Sequence, residues 1–349
     1  MRRIEDAGGW LGFDRFMELA LYAPGLGYYA SSARQFGLMP SSGSDFVTAP
    51  ELSPLFGHTL ARQVEQALAE TGTDEIWEFG AGSGALALQL LDALGGKVKR
   101  YTIVDLSGAL RERQQQALAR HGDKVRWVDA LPERMRGVIV GNEVLDSMPV
   151  KLLARVGGNW NERGVALHQG QFSFADVPTD LRPPVAIDSA SGDYLTEIHL
   201  EAEAFIRTIA DKLERGAAFF IDYGFPESEY YHPQRHMGTV MCHRGHQSDG
   251  NPLADVGGKD ITAHVNFSGI ALAAQDAGLD VLGYTSQGRF LINCGLLQIK
   301  EQQKSTPLAQ MDILIMEHEM GELFKVLGLS AGGSFDAIGF ARGDRTHTL

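Results

Sequence analysis

A short glycine-rich turn reads Glu78-Phe79-Gly80-Ala81-Gly82-Ser83-Gly84. It follows a predicted strand, Glu75–Phe79, and precedes a predicted helix, Ala85–Leu94, which is apolar almost all round. Glycine lets a backbone approach a ligand closely, because no Cβ intervenes and positive φ values are allowed. The N-terminus of the helix adds free N–H groups and a positive dipole end. The turn is therefore the first candidate ligand site of the chain.

Strands and helices alternate on the C-terminal side of this turn. The further predicted strands are Tyr101–Asp105, Val125–Val128, Gly137–Gly141 and Ala217–Asp222, with a helix from Ser107 to Arg120 between the first two. Such alternation specifies parallel βαβ units and a sheet that is covered on both faces. We expect an α/β fold with a mostly parallel sheet.

Other segments depart from this alternation. They are predicted as a helix over Asp14–Tyr22, a helix capped by Ser53, antiparallel strands over Lys151–Val177 with turns at Gly157-Gly158 and Gln169-Gly170, a helix over Tyr194–Leu213, a polar loop over Pro226–Asp260, and a helix over Leu308–Leu327. The antiparallel stretch indicates an insert in the α/β core.

The composition excludes several classes of protein. Of 349 residues, 44% are hydrophobic and 21% charged, which is enough to build a core and unlike a disordered or collagenous chain. The net charge of -13 argues against a nucleic-acid-binding surface. Two cysteines, no membrane-length apolar run and no signal-peptide pattern in Met1–Trp10 lead us to expect a cytoplasmic protein without membrane insertion.

Acidic residues at the ends of three predicted strands indicate the ligand. Glu78 precedes the glycines and can hold an ammonium group, Asp105 can bind ribose hydroxyls, and Asp129 with Ala130 can bind an adenine amine. This combination suits S-adenosylmethionine. The turn also satisfies the loose dinucleotide pattern G-x-G-x-x-A, so an NAD-linked oxidoreductase is an alternative, although Glu78 would repel a pyrophosphate.

The segment after the fourth predicted strand supplies two more acids, Glu143 and Asp146. Ligands of such sheets bind beyond the carboxyl ends of the strands, where this segment begins. If a helical turn forms, the two carboxylates share one face and can grip a guanidinium group. The alternative is that either acid caps a helix.

In these motifs the chain resembles the MidA family of class I S-adenosylmethionine-dependent methyltransferases, which includes mitochondrial complex I assembly factors. The matching motifs are Phe16–Tyr22, Gly27–Tyr29, Asp45–Glu51, Ile221–Phe225, Asp260–Phe267 and Gln287–Leu291, besides those already quoted. Asp105 stands where the family pattern has Glu, and Asn266 where it has Asp, which weakens a catalytic role for position 266.

The resemblance implies a Rossmann-like methyltransferase core, S-adenosylmethionine as the cofactor, no metal, and an arginine of a protein as the substrate, for example in a complex I subunit. It allows a homodimer. The cofactor-binding residues expected are Thr48, Glu78, Gly80, Ala81, Gly82, Ser83, Gly84, Asp105, Leu106, Asp129, Ala130 and Asn142, and the catalytic residues are Glu143 and Asp146.

We divide the chain accordingly into an N-terminal helical and loop segment that caps the cofactor site (1–73), a core (74–150 and 186–300), an antiparallel insert (151–185) that faces the substrate, an active-site loop region (225–266) and a C-terminal helical segment (301–349). The alternatives to protein arginine methylation are methylation of a small molecule or another side chain, and a non-catalytic assembly factor that binds the cofactor.

Three weaker patterns complete the sequence evidence. The group His232, His236, Cys242, His243 and His246 lacks the paired spacing of a zinc site. His264 is either a core residue or a catalytic one. The tyrosines that could form an aromatic wall around a methyl acceptor are Tyr28, Tyr29, Tyr230 and Tyr231.

Overall fold

The computed structural model describes residues 1–30, 47–105, 108–187, 192–245 and 247–349. The helices are α1 (Arg2–Asp6), α2 (Phe13–Tyr22), α3 (Ala49–Leu52), α4 (Pro54–Thr71), α5 (Ala85–Leu94), α6 (Gly108–Ala117), α7 (Leu200–Lys212), α8 (Glu227–Tyr230), α9 (Phe267–Asp276), α10 (Gln287–Asn293), α11 (Leu296–Gln302), α12 (Leu308–Ile315) and α13 (Met320–Leu323). Among these described helices, none combines the length and the apolar character needed to cross a membrane.

The strands follow the same chain order. They are β1 (Trp10–Gly12), β2 (Glu75–Phe79), β3 (Arg100–Val104), β4 (Val125–Val128), β5 (Met135–Asn142), β6 (Lys151–Val156), β7 (Asn159–His168), β8 (Gln171–Pro178), β9 (Tyr194–Ile198), β10 (Leu213–Phe225), β11 (Met241–Arg244), β12 (Gln247–Asp249), β13 (Asp260–Thr262), β14 (Val265–Asn266), β15 (Asp280–Ser286) and β16 (Phe324–Ala331).

The central sheet has the strand order β15-β16-β10-β5-β2-β3-β4. Strands β10, β5, β2, β3 and β4 pair in parallel, and β16 lies antiparallel between β10 and β15. The predicted α/β fold is confirmed. Within the sheet, β3 and β4 lie on one side of β2, and β5 lies on the other side of β2. The carboxyl ends of β2 and β5 therefore form the crevice where such sheets bind ligands.

Helices cover both faces of this sheet and produce two apolar cores. Phe219 and Phe220 are neighbours on β10, yet Phe219 packs in the core beneath α4 and α5, and Phe220 in the core beneath α7 and α9. Successive side chains of a strand point to opposite faces, so a strand buried on both faces is apolar throughout.

Local signals fix the start of α4 as predicted. Ser53 is its N-cap, and the Ser53 side chain accepts a hydrogen bond from the backbone N–H of Leu55 at 3.3 Å. Pro54 occupies the first helical position, where its missing N–H has no cost, and Gly72 ends the helix in the left-handed conformation. The predicted cap of α6, Ser107, lies outside the described residues.

The antiparallel strands predicted from Lys151 to Val177 are present as β6, β7 and β8. Their sheet also takes β1 from the N-terminal segment and β9 from beyond the predicted insert, so the antiparallel part extends past residue 185. The helix predicted from Tyr194 is wrong in its first turn: Tyr194–Ile198 is β9, and the helix begins at Leu200. Pairing with β6 buries Tyr194, Thr196 and Ile198, and this tertiary contact outweighs the local helical pattern.

The C-terminal segment also differs from the prediction. The helix expected over Leu308–Leu327 ends at Ile315, and Phe324–Ala331 forms β16, all of whose residues are buried. Short apolar runs do not distinguish a buried strand from a buried helix, which explains the error. The predicted loop Pro226–Asp260 likewise contains α8 and part of a small sheet of order β12-β11-β13.

The central position of β16 has a measurable consequence for stability. Leu327 on β16 has no exposed surface, and replacing it with Ala leaves a cavity among large apolar neighbours. We expect Leu327→Ala to lower the free energy of unfolding by about 2–5 kcal/mol. In the same urea titration, Leu272→Ala, at a position that is 53% exposed on α9, should change it by less than about 0.5 kcal/mol. Equal effects of the two variants would contradict the placement of β16.

Candidate active site

A cavity of about 910 Å³ opens at the carboxyl ends of β2 and β5. The glycine turn and the segment Asn142–Pro149 form its base. The N-terminal segment and the region Met241–His264 supply residues to its walls, so parts of the chain that are distant in sequence enclose one space. Volume and position both match a small-molecule site of a doubly wound sheet.

The glycine turn has the backbone geometry that its sequence predicts. Gly80, Gly82 and Gly84 have φ values of +62°, +52° and +86°, in the left-handed region that favours glycine. A Cβ on Gly80 would lie 3.0 Å from Cγ2 of Val144, so the turn packs closely against the segment that follows β5. The turn residues that line the cavity are Gly80, Ala81, Gly82 and Ser83.

Gly84, the last predicted contact of the turn, is not among the residues that line the cavity. Its N–H donates to the carbonyl of Ala81 at 2.8 Å, and a Cβ on Gly84 would lie 3.5 Å from Gln114. Because that N–H is already used inside the turn, Gly84 shapes the start of α5. The structure thus shows Gly84 supporting the turn, and a contact of Gly84 with the cofactor stays a prediction.

Glu78 is buried, only 2% exposed, at the end of β2. Its Oε2 accepts a hydrogen bond from the Tyr101 hydroxyl at 2.7 Å. Burial raises the pKa of Glu78 to about 8. A buried carboxylate with one neutral partner is stabilised by any cation that reaches it, which fits the predicted ammonium contact.

Asp105 lines the cavity beside the glycine turn, as predicted. Gln114 of α6 donates from Nε2 to Asp105 at 2.8 Å and to the carbonyl of Gly82 at 3.0 Å, and its Oε1 accepts from Trp127 at 2.8 Å. Sequence reasoning missed Gln114, because its three partners are brought together only by the fold. This glutamine orients Asp105 against the turn.

Asp129 and Ala130 also line the cavity, after β4. Asp129 is exposed and forms an ion pair with Arg111, so a ligand would share this carboxylate with the arginine. Thr48 lines the opposite wall, just before α3. The predicted contact Leu106 and the motif residue Asp45 lie outside the described residues.

Glu143 and Asp146 both line the cavity. Glu143 has a φ of +54°, which takes the chain off a helical path immediately after β5. Residues 143–148 form bends and a turn, so the condition of a helical turn is not met. The two carboxylates are brought into one cavity by the bends of this segment instead.

The two acids sit in a setting that disfavours charge. Burial raises the pKa of Glu143 to about 8 and that of Asp146 to about 6. The Asn142 amide donates to Oε1 of Glu143 at 3.1 Å, and the Tyr223 hydroxyl donates to Oδ2 of Asp146. Each carboxyl group is thus held by a neutral donor and lacks a basic partner among the hydrogen bonds of the described residues.

Some of the residues that line the cavity have buried polar atoms without a hydrogen-bond partner in the described part of the chain. Within the described part of the chain, Oδ1 of Asn142 and Nδ1 of His264 are buried with no hydrogen-bond partner. His264 packs against the rings of Tyr223 and Phe225, and burial lowers its pKa to about 4, so it is neutral at pH 7. Buried polar groups are normally paired, so these atoms indicate a place for a polar ligand.

The N-terminal segment contributes Tyr22, which the sequence analysis did not assign, and Tyr29, which it named as a candidate for an aromatic wall. The Tyr29 hydroxyl lies 2.9 Å from both carboxylate oxygens of Asp260, and the Tyr22 ring stacks on that of Tyr29 with centroids 5.5 Å apart. The Tyr22 hydroxyl donates to the carbonyl of Ser147 at 3.0 Å. Tyr22, Tyr29 and Asp260 all line the cavity. Tyr29 and Asp260 belong to the family motifs Gly27–Tyr29 and Asp260–Phe267, and this membership is the sequence signal that could have assigned both residues to the site.

An aromatic wall is one interpretation of the four tyrosines, and the alternative is that they are scattered core or surface residues. Of the four, Tyr29 lines the cavity. Tyr28 packs in the N-terminal core, and the hydroxyls of Tyr230 and Tyr231 donate to Glu197 instead. The described residues contain no group of three or more His, Cys, Asp or Glu arranged to hold a metal ion.

Comparison with known proteins agrees with this geometry. The family model described as "Putative S-adenosyl-L-methionine-dependent methyltransferase" matches residues 59–285. A crystal structure of a Burkholderia thailandensis protein bound to S-adenosyl-homocysteine is 51% identical, has a TM-score of 0.94, and aligns over 100% of this chain and 95% of that one. A native structure from the same organism is 50% identical, with a TM-score of 0.90 over 100% and 94% of the two chains.

More distant relatives carry a more specific name. The protein arginine methyltransferase NDUFAF7 homolog of Caenorhabditis elegans is 27% identical over 90% of this chain and 81% of its own. The Danio rerio protein arginine methyltransferase NDUFAF7 is 26% identical over 91% and 83%.

The residues present fit the cofactor that the family uses. Gly80 and Gly82 leave room for close backbone approach, and Glu78 and Asp105 place carboxylates in the same cavity as the glycine turn. The family model covers well over half of the chain, and the glycine turn and the acids after β5 lie inside its limits. The chain belongs to the MidA family of class I methyltransferases, with S-adenosylmethionine as its cofactor.

Proposed function

We propose that this methyltransferase modifies an arginine side chain of a protein, with a subunit of respiratory complex I as the candidate target. One observation carries the proposal: seven carboxyl groups and, among the described residues, no lysine or arginine line the cavity. The acids are Glu51, Glu78, Asp105, Asp129, Glu143, Asp146 and Asp260. A guanidinium group is always charged and pairs well with carboxylates. The names of the relatives support this substrate class.

The cofactor half of the cavity is built from the turn and the strand ends. Glu78 holds the ammonium group, Asp105 the ribose hydroxyls, and Asp129 with Ala130 the adenine amine. The backbone of Gly80 and Gly82 lies against the methionine part. When bound, S-adenosylmethionine supplies a methyl group on a positively charged sulfur. The protein's task is to align a nitrogen with that methyl group.

The substrate half is built from Glu143 and Asp146. The Asn142 amide orients Glu143 and the Tyr223 hydroxyl orients Asp146, so both carboxylates can bind one guanidinium. The two carboxylates hold the positive charge of the guanidinium group on two of its nitrogens. The third nitrogen then keeps electron density and attacks the methyl group. That nitrogen must then lose one proton, and the pair of carboxylates is its acceptor.

Asp260 extends this acidic wall. Its charge raises the pKa of Glu143, as do those of Asp146 and Glu51, after the larger effect of burial. These carboxylates are therefore close enough to repel one another. A cationic side chain that enters among them relieves the repulsion, which favours a cation over a neutral substrate.

The deciding experiment uses labelled S-adenosylmethionine and a purified complex I subunit that contains arginine. We expect label on arginine by mass spectrometry, and none in a matched protein with those arginines changed to lysine. Label on lysine, or only on small metabolites added in parallel, would contradict the substrate class. Binding of S-adenosylhomocysteine with no transfer to any acceptor would favour a non-catalytic assembly factor.

Gly80 gives a test of the cofactor half. Gly80→Ala forces a left-handed residue and a contact with Val144, so the dissociation constant of S-adenosylhomocysteine should rise at least roughly tenfold by calorimetry. Gly157→Ala, with a φ of +55° but open space around it, carries the same backbone cost of about 1–2 kcal/mol away from the cavity. It should lower stability and leave cofactor affinity unchanged; equal affinity losses would show that the effect is general.

The acids after β5 give a test of the substrate half. Glu143→Gln and Asp146→Asn keep the side-chain size and remove a charged hydrogen-bond partner. We expect each to lower kcat/KM for the arginine substrate by roughly 10–100-fold, from the ~1.5–3 kcal/mol of such a bond. Affinity for S-adenosylhomocysteine should stay within about twofold. Glu301→Gln, an exposed acid on α11, serves as the control for loss of one charge.

The raised pKa of Glu143 predicts a pH dependence. Below its pKa of about 8 Glu143 carries a proton, and a guanidinium binds only the ionised form. Affinity for the arginine substrate should therefore rise with pH, by up to roughly tenfold per unit, and level off above about pH 8.5. Calorimetry in two buffers should show proton release on binding near pH 7. An unchanged pH profile in Glu143→Gln would contradict this assignment.

A further inference from the structure

We infer that Asp222 is the positioning residue for the acidic pair: it holds the backbone of the segment Glu143–Asp146 without touching substrate or cofactor. The inference rests on the proposed role of Glu143 and Asp146. Asp222 lies on β10, next to β5, and is 1% exposed. It is not among the residues that line the cavity.

Among the described residues, Asp222 accepts its hydrogen bonds from backbone N–H groups. Its Oδ2 accepts from three consecutive residues, Val144 at 3.1 Å, Leu145 at 2.9 Å and Asp146 at 3.2 Å. Its Oδ1 accepts from the N–H of Tyr223 at 3.0 Å. The Asp222 carboxylate thus accepts three hydrogen bonds from the segment that follows β5.

This arrangement answers a requirement of the backbone. The positive φ of Glu143 ends the pairing of β5, and the following N–H groups are neither in a strand nor in a helix. Buried N–H groups without partners cost free energy, so another acceptor must replace the inter-strand hydrogen bonds that end with β5. The Asp222 carboxylate is that acceptor, and it fixes where the side chains of Glu143 and Asp146 begin.

Neighbours of Asp222 hold the same segment at its ends. The N–H of Glu143 donates to the carbonyl of Ile221 at 2.9 Å. The hydroxyl of Tyr223 donates to the carboxylate of Asp146. Three successive residues of β10 therefore fix the start, the middle and the end of the segment.

Opposing effects act on the charge of Asp222. Burial, followed by the charges of Asp146 and Glu143, raises the pKa of Asp222 well above its usual range, and the backbone N–H donors lower it only in part. The geometric role stands on the acceptor atoms, since both oxygens of Asp222 accept from backbone N–H groups. An amide at this position would have to turn an NH₂ group toward N–H donors.

The test is Asp222→Asn, which keeps the shape and removes acceptor capacity. Hydrogen exchange should quicken at least about tenfold in a peptide covering residues 141–149 and stay unchanged in the glycine turn. The number of S-adenosylhomocysteine sites per chain should remain one, with affinity within about twofold. The kcat for the arginine substrate should fall at least about tenfold.

Glu197→Gln is the matched control. Glu197 is also buried and accepts from two backbone N–H groups, those of Thr239 and Val240, but it does not line the cavity. We expect it to reduce thermal stability while kcat stays within about threefold.

Two outcomes would overturn the inference: unchanged exchange over residues 141–149 in Asp222→Asn, or parallel losses of activity and cofactor sites in both variants. The exchange readout needs no substrate. If the wild-type protein methylates no arginine, the proposed function fails while the positioning role is still decided.

Discussion

Parallel pairing of β2 with β5 places Phe79 beside Gly141, so the glycine turn and the segment carrying Glu143 leave the sheet side by side. The two segments then touch, because a Cβ on Gly80 would lie 3.0 Å from Val144. The absence of a side chain at Gly80 thus lets the glycine turn and the segment with Glu143 share one crevice. The remaining parts of the site are added around this pair.

Other residues that line the cavity come from segments outside the central sheet. Tyr22 and Tyr29 arrive from the N-terminus, and Asp260 and His264 from the region after β10. The hydrogen bond between Tyr29 and Asp260 joins two of these segments directly. The doubly wound core carries the glycine turn and the acids after β5, and these segments add further walls to the same cavity.

The core could be predicted from sequence because its signals are local. The strand, turn and helix of Glu75–Leu94 have the predicted bounds, since apolar runs, glycines and caps lie next to one another in the chain. Strands β9 and β16 could not, because their state depends on partners far away in sequence. The same holds in the site: acids at strand ends were visible, whereas Gln114 and Asp222 act through contacts that exist only in the folded chain.

The acidic cavity also bears on what happens after the chemical step. A guanidinium group keeps its positive charge when a methyl group is added, so the carboxylates that attract the proposed substrate attract its product as well. Electrostatics alone therefore does not distinguish an unmodified side chain from a methylated one. Discrimination between them falls to the space that the cavity leaves around the nitrogens of the proposed substrate.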